Sequence, residues 1–556
     1  MRRIAIIGGG IAGLTAAYEL ARLSRDGVPV EAVLFESSNR LGGIIETVRE
    51  GGFTVETGPD AWVTSKPWAR ELAVELGLDS DTELIPSNDA TRKTHIFLAT
   101  PDYPASRLVP MPDGLNMMVP TDLDALALSP LFTESAIAAY RAEPARAAEF
   151  LASIPAHDES VADFTLRHFG REVLDRVAAP LLNGVFGGDV RTLSARAVLP
   201  ALVQMERERG SLIAAAQANA DRKRGRDEPL FTTLRTGLGT LIDRLVAVVP
   251  PHWFCLNTTV TAIEAAPRPE PIVGRFASEA SGSAPRLWTV LTSSAGKRLA
   301  SEAFDAVLLA VPLDATRQIL ELLDATASQL LPAESSSAVL VAFCFPNATR
   351  FPLPPGFGFL VPPEPPPGEG SVPPAERGRM GAYRNVSGSA EKPVPSVQKE
   401  PWHIAFTSPR ASTSRPSLLL ACTFADQKFH HRVPPGGRLI RAFFGGATAD
   451  RIARCNNDEI AAIARLELAR ILNTNANSPV SGPAPVPILT VVRRLPNSLP
   501  QYAVGHLDRV DELESRLRAF SGLALLGNSL RGVGLPDLIR DSRQAARTAA
   551  LSPTRT

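Results

Sequence analysis

The chain has 556 residues, 44% of them hydrophobic and 21% charged, with 58 basic side chains against 58 acidic ones and a formal net charge of zero. That length exceeds what one core holds and predicts two or three domains, and the neutral balance speaks against a nucleic-acid-binding polycation or an acidic solvating tail. Four scattered cysteines (Cys255, Cys344, Cys422, Cys455) show no CxxC or zinc spacing, which argues for a reducing compartment and against a disulfide framework.

No run of about 18 apolar residues occurs, so no helix is expected to cross a bilayer. Met1-Arg2-Arg3 leads directly into a strand, with no signal peptide or Arg/Ser-rich presequence. The N-x-S/T matches at Asn257, Asn347 and Asn385 read as chance in a chain without a secretory signal.

In chain order, residues 3–7 (Arg-Ile-Ala-Ile-Ile) predict a buried strand, followed by a glycine turn and a helix from about Ala12 to Leu23. Val30 to Phe35 predicts a short buried parallel strand, and Phe53 to Glu56 another, ended by Gly58-Pro59. An amphipathic helix is expected over about Ser65–Leu78, with Trp68, Leu72 and Leu76 on its apolar face. Residues 121–220 read as mainly helical, Phe231 to Val249 as a turn and a helix, and Val260–Ile263, Trp288–Thr292 and Ala306–Val311 as β-rich. The segment 346–416 carries 16 of the 49 prolines, too many for a core, and predicts an extended or disordered surface insertion. Residues 266–286 read as a shorter insertion of that kind. The cluster Arg222-Lys-Arg-Gly-Arg226 reads as a solvated loop, with contact to anionic lipid as the sharper alternative.

Gly8-Gly9-Gly10-Ile11-Ala12-Gly13 holds a G-x-G-x-x-G pattern after a predicted strand and at the start of a predicted helix. Gly8 permits the tight turn, Gly10 lets the backbone approach a pyrophosphate, and Gly13 lets the helix pack close to the strand. The helix N-terminus offers free N–H groups and a positive dipole end to the anion. Glu36, 23 residues beyond Gly13, closes the second strand, where a carboxylate can accept from a ribose diol and repel a 2′-phosphate. A glycine-rich turn without ligand is the competing explanation, disfavoured by strand, turn, helix, strand and acid in register. Glu36-Ser37-Ser-Asn-Arg40-Leu-Gly42-Gly43 resembles the E-x-x-x-R-x-G-G extension of glutathione-reductase-type and amine-oxidase-type flavoproteins, which selects FAD over NAD. A surface ion pair is the plain alternative for Arg40.

More widely, the chain resembles the protoporphyrinogen oxidase family of the amine-oxidase-like flavoproteins. The likeness is carried by Gly58-Pro59 with Glu75-Leu-Gly-Leu78, by Asn183-Gly184-Val-Phe186-Gly-Gly188-Asp189 leading to Leu193–Arg196, and by Phe231-x-x-Leu234-Arg235-x-Gly237-Leu238. Gly356–Pro362, Leu499-Pro500-Gln501-Tyr502-x-x-Gly505-His506 and Gly527-Asn528-x-x-x-Gly532-Val533-Gly534-x-x-Asp537 complete it. The resemblance implies an α/β fold: a Rossmann-like FAD-binding domain, a mixed β-sheet substrate domain and a helical membrane-facing domain. The FAD domain is expected over 1–90, 226–300 and a C-terminal return at 496–556, the helical domain over 91–225 and the substrate domain over 301–495. Expected FAD contacts are Gly8, Gly9, Gly10, Ile11, Ala12, Gly13, Glu36, Ser37, Arg40, Gly42, Gly43, Ile44, Gly58, Pro59, Asp60, Ala61, Val260, Arg494, Gly532, Val533 and Gly534. The plain alternative for the last three is a glycine-rich turn before an amphipathic helix.

The implied activity is oxidation of protoporphyrinogen IX to protoporphyrin IX in heme biosynthesis, by hydride transfer to FAD and reoxidation by O₂ to hydrogen peroxide. Coproporphyrinogen III oxidation, an amine-oxidase-like reaction and a non-catalytic flavin-binding role are the alternatives. No acid–base catalyst and no metal are expected; His430-His431 lacks further ligands at suitable spacing. Expected substrate contacts are Thr94, His95, Gly184 and Phe186. Thr94 stands where many family members carry a propionate-binding arginine, so Arg92, Lys93 or His95 takes that role or the propionate binds differently. Peripheral attachment to the mitochondrial inner membrane and a homodimer are implied by the resemblance alone.

Overall fold

A computed structural model describes residues 1–98, 107–223, 228–267, 286–294, 297–298, 302–363, 417–472 and 486–552. Most of the Pro-rich segment, the 266–286 insertion, Asn385 and the basic cluster's side chains lie outside the described residues.

Apolar strands with no polar alternation need cover on both faces, and the first domain supplies it. Its five-stranded sheet runs in the order Phe254–Cys255, Val30–Phe35, Arg2–Ile7, Ala306–Leu309, Leu523–Leu525, with every pair parallel. The register places Ile4 beside Ala32 and Ala306, and Ile7 beside Phe35 and Leu309. Ala306–Leu309 thus extends the cofactor domain past the boundary expected at 300. On one face lie the helices Ile11–Arg25, Gly239–Val248 and Leu535–Leu551, whose Leu14, Leu20, Leu241 and Ile539 share one buried cluster with Ile4 and Leu308. The other face is covered by the ribbon of Thr259–Pro267, Arg286–Ser294 and Glu302–Phe304, through Ile263, Trp288 and Phe304.

The second sheet has seven strands in the order Leu489–Pro500, Ser335–Phe345, Arg438–Gly445, Ala421–Phe424, Gly358–Leu360, Thr94–Leu98, Arg107–Pro110. It is antiparallel except where Gly358–Leu360 runs parallel to Thr94–Leu98. Residues 94–98 and 107–110 therefore belong to this sheet and not to the helical domain expected from 91. Helices from Leu123–Ala127 to Leu212–Lys223 form the third layer, around Phe164, Val177, Leu182 and Leu199. Among the described residues no helix is long and apolar enough to cross a membrane.

Two elements differ from expectation. Phe231–Leu234 is a strand, pairing with Trp62–Val63 and Leu84–Pro86, where a turn was expected. Its two β-branched threonines favour extended backbone, and their hydroxyls bind Thr64 at 2.8 Å and the Asp60 carbonyl at 2.8 Å. The helix expected over 65–78 is confined to Trp68–Glu75, because Pro67 caps its start and Gly77, at φ +73°, turns the chain beyond its end.

Candidate functional site: a dinucleotide cradle beside an apolar layer

The glycine loop explains itself atom by atom. A Cβ on Gly13 would lie 1.9 Å from the Gly8 carbonyl oxygen, and one on Gly8 (φ +108°) 2.3 Å from that of Ala310. These two glycines serve the packing of helix on strand. Gly10 is different: no protein atom stands within 4 Å of its added Cβ. It caps Ile11–Arg25 without a side-chain cap, and no acid occupies the first turn. The first-turn amides, including those of Ile11, Ala12 and Gly13, have no partner within the helix and suit an anion such as a pyrophosphate.

Glu36 ends its strand beside this loop. One carboxylate oxygen accepts from the Gly9 amide at 2.7 Å, the other from the Ser38 amide at 2.8 Å and the Ser37 hydroxyl at 3.3 Å. The carboxylate is thereby pinned with lone pairs to spare for a ribose diol. Arg40 turns inward, donating to the carbonyls of Gly43, Leu41 and Ile45 and pairing with Glu46 at 3.8 Å. It braces the Gly42-Gly43 turn, which the Gly42 amide ties to the Gly9 carbonyl at 2.8 Å. Gly43, at φ +60°, sits with its added Cβ 3.1 Å from the Gly10 Cα, so the turn closes over the open glycine, with Ile44 exposed beside it. Val260 lies two residues past Thr258, whose amide donates to the Glu36 carbonyl at 2.9 Å. This donor set fits the phosphates and ribose of FAD.

From there the chain runs as a strap. Thr57 donates to the Glu46 carbonyl at 3.0 Å, and Gly58 packs so tightly that an added Cβ would lie 2.2 Å from the Ile44 carbonyl oxygen. Through Pro59, Asp60 and Ala61 the strap continues to Lys66, which pairs with Asp537 at 2.5 Å beside Gly532 and Gly534. Asp60, expected as a cofactor contact, instead spends its carboxylate on Lys428 at 3.1 Å and Arg441 at 3.0 Å. Burial opposes its charge, yet the neighbouring Lys428 and Arg441 prevail and hold this carboxyl well below the usual range. Arg432, buried like its partner, pairs with Glu56 at 2.7 Å and donates to the Asp60 carbonyl at 3.1 Å. The sequence reading missed these cations; their signal was a charge inside an apolar strand, as at Leu439-Ile440-Arg441-Ala442.

The far end is built by the C-terminus. Leu523–Leu525 adds the last parallel strand, and Leu526 donates to the Leu309 carbonyl at 2.8 Å. Gly532 (φ +102°) and Gly534 lead into Leu535–Leu551, and Asp537 approaches an added Cβ at either glycine to 3.1 Å. The intervening Val533 packs against the apolar cluster of the helical layer. That helix docks on Ile11–Arg25 through buried Glu19, which binds Arg543 at 3.0 Å and Arg547 at 2.7 Å. The two glycine sites are thus joined by packing as well as by the strap.

Strand alternation sorts the remaining expected residues. Ile96 and Leu98 face the helical layer and Phe97 faces the opposite cluster, so Thr94 shares the helical side and His95 does not. His95 is buried, its Nδ1 3.3 Å from the Gly358 carbonyl oxygen, and burial lowers its pKa. It faces away from Thr94, a correction to its expected substrate contact. Gly184 is exposed and its added Cβ would meet Leu360 at 3.1 Å, so it packs beside the strand that pairs with Thr94–Leu98. Phe186 is buried in the helical layer, 6.3 Å from the Tyr502 ring. Arg494, expected as a cofactor contact, lies one step along its strand from Arg493. It pairs opposite Val339 and donates to Cys455 and Asn457 on the outer face, while Arg493, opposite Leu340, reaches Glu46 beside the cradle. Among the described residues no group of three or more His, Cys, Asp or Glu side chains is placed to hold a metal.

Comparison with known proteins agrees with this geometry. Residues 11–353 match the family described as flavin containing amine oxidoreductase. The coproporphyrinogen III oxidase of Bacillus subtilis (strain 168) is 29% identical over 99% of this chain and 98% of its own. The chloroplastic protoporphyrinogen oxidase 1 of Arabidopsis thaliana is 25% identical over 97% and 86%. A crystal structure of a putative protoporphyrinogen oxidase from Exiguobacterium sp. 255-15 superposes with a TM-score of 0.70 at 26% identity, covering 99% of both chains. With a cradle shaped for a dinucleotide and a match over more than half its length, the chain belongs to the flavin containing amine oxidoreductases, and its cofactor is FAD.

Proposed function

We propose that this protein oxidises a porphyrinogen to the corresponding porphyrin in heme synthesis, with FAD as hydride acceptor and O₂ as final oxidant. The supporting observation is the apolar layer where the Thr94–Leu98 and Gly358–Leu360 strands meet the helix Ala179–Phe186 and which Val533 of the Gly532–Gly534 turn joins, and we place the substrate cleft along it. Of the residues named on it, Thr94, Ile96, Gly184, Phe186, Leu360 and Val533, none is an acid or a base. Such walls hold a large apolar ring, exclude water and leave the reaction to orientation. Bound FAD supplies two-electron acceptor chemistry, so three turnovers remove the six electrons and six protons that separate porphyrinogen from porphyrin, with O₂ leaving as hydrogen peroxide. Exposed Arg92, and Lys93 paired with exposed Asp113 at 3.8 Å, stand at the entry of the Thr94 strand as cations for propionates.

We take coproporphyrinogen III as the first substrate to test, because the Bacillus oxidase is the more similar of the two relatives in sequence. Protoporphyrinogen IX, implied by the resemblance and by the names of the Arabidopsis and Exiguobacterium proteins, is the second. These relatives are bacterial or chloroplastic, so a mitochondrial site is not carried forward. Peripheral membrane contact stays part of the proposal, on the exposed Leu128, Leu151 and Leu166 of the helical layer.

The test follows porphyrin fluorescence from both porphyrinogens, in parallel, with the purified flavoprotein. Growth of fluorescence with stoichiometric peroxide supports the reading, and the faster substrate identifies the macrocycle. A flavoprotein that forms neither porphyrin faster than buffer alone overturns it.

A further inference from the structure

The tripeptide Pro500-Gln501-Tyr502 joins two segments far apart in sequence. Gln501 Nε2 donates to the Phe186 carbonyl at 2.9 Å, and its side chain lies where any Cβ on Gly188 would fall, 1.8 Å from Gln501 Oε1. The Tyr502 carbonyl accepts from Ser194 at 2.8 Å. These contacts seat the tripeptide on the segment that bounds the cleft. On the other side the Tyr502 hydroxyl donates to the Asn528 carbonyl at 2.6 Å and accepts from the Gly532 amide at 3.1 Å. One phenol thereby fixes both ends of the loop that leads into the Gly532–Gly534 turn.

A second ring reinforces the first. His506 stacks on Tyr502 at 4.0 Å with the planes 9° apart, and its Nε2–H donates to the Leu530 carbonyl at 2.6 Å. Its Nδ1 is buried with no hydrogen-bond partner among the described residues, as befits a neutral imidazole. Burial pushes the Tyr502 phenol up, which keeps it the protonated donor that the Asn528 carbonyl requires.

We infer that Gln501 and Tyr502 form a strut that positions the flavin-side Gly532 turn against the substrate-side Phe186–Gly188 turn, so that FAD and the macrocycle strengthen each other's binding. Tyr502 is a positioning residue: it acts on FAD through the Gly532 amide. The inference rests on the proposed function for the identity of the macrocycle, but its cofactor arm does not.

The experiment uses Tyr502→Phe and Gln501→Met, which keep shape and remove one hydrogen-bonding group each. Dissociation constants are measured for FAD, and for coproporphyrin III in the presence and absence of FAD. Tyr502→Phe is expected to weaken FAD about tenfold, the effect of losing a hydrogen bond that leaves a backbone amide and a carbonyl unpaired. Gln501→Met is expected to leave FAD affinity within about twofold when no porphyrin is present. Wild type is expected to bind coproporphyrin III at least about fivefold more tightly with FAD than without, and both variants to lose that ratio. A merely structural role would lower melting temperature without moving the ratio.

Wild-type FAD affinity in Tyr502→Phe, a wild-type ratio of one, or a ratio that persists in both variants overturns the strut. If wild type binds neither coproporphyrin III nor protoporphyrin IX, the function proposed above fails instead, and the FAD affinity of Tyr502→Phe decides the strut alone. If Tyr502→Phe does not fold, the ratio in Gln501→Met decides it.

Discussion

Replacing Glu19 by Gln tests how the C-terminal turn is held at the cofactor. Glu19 sits in the middle of Ile11–Arg25 with its side chain fully buried, accepting from Arg22 at 2.7 Å, Arg547 at 2.7 Å and Arg543 at 3.0 Å. Arg543 also binds Glu75 at 2.8 Å, so one carboxylate anchors a helix 524 residues away in sequence. Burial opposes the charge, but hydrogen bonds from Arg22 and Arg547 outweigh it and bring the pKa from the usual 4.5 to about 2. A carboxyl depressed on folding contributes stability that is complete above its unfolded pKa and disappears as pH falls through the folded one. At about 1.4 kcal/mol per pKa unit the drop is worth about 3 kcal/mol, present at neutral pH and lost between about pH 4.5 and pH 2. At about 2 °C or more per kcal/mol, Glu19→Gln should melt about 6 °C below wild type at neutral pH. The assay is flavin fluorescence on heating, which reads release of FAD, repeated from pH 7 to pH 3. The gap between the proteins should narrow as pH falls, because acid removes the same charge from wild type. A gap below about 1 °C at pH 7, or one that stays constant to pH 3, refutes the reasoning.

Five further substitutions separate ligand contacts from packing. Gly10→Ala should melt like wild type when flavin-free and bind FAD at least about tenfold more weakly, whereas Gly13→Ala, with its Cβ 1.9 Å from the Gly8 carbonyl oxygen, should destabilise the apoprotein by about 3 kcal/mol; calorimetry and FAD titration check both. Asp60→Ala leaves Lys428 and Arg441 buried without their carboxylate and should cost about 3–5 kcal/mol in urea unfolding. His95→Ala should leave KM for the porphyrinogen within about twofold, since the ring faces away from the cleft. Gly184→Ala places a methyl 3.1 Å from Leu360 and should raise KM about tenfold; steady-state porphyrin fluorescence distinguishes the pair.

Much of the cradle was legible because its constraints are local. A glycine loop between strand and helix, with an acid at the next strand's end, fixes Gly8 through Glu36 without help from the rest of the chain. Arg40 was legible as part of the site, but its role as a brace for Gly42-Gly43 depends on carbonyl positions that composition does not encode. Which of Arg493 and Arg494 faces the cradle was not legible, because on a strand one step exchanges the two faces and only the pairing with Val339 and Leu340 fixes the register. The face taken by His95 was hidden for the same reason. The ion cluster of Glu56, Asp60, Lys428, Arg432 and Arg441 joins residues more than 360 positions apart, so a charge inside an apolar strand signals that a partner exists but not which one. Phe231–Leu234 read as a turn because its strand character comes from partners at Trp62–Val63 and Leu84–Pro86.

The most direct test of the account is the rate of porphyrin formation as FAD is titrated back into flavin-free protein, with coproporphyrinogen III as substrate. The account predicts no rate above autoxidation in the apoprotein, recovery in proportion to FAD bound at one per chain, and an unrestored Gly10→Ala variant at the same FAD concentration. Porphyrin formation that is independent of FAD, or a protein that binds no flavin at all, would contradict it.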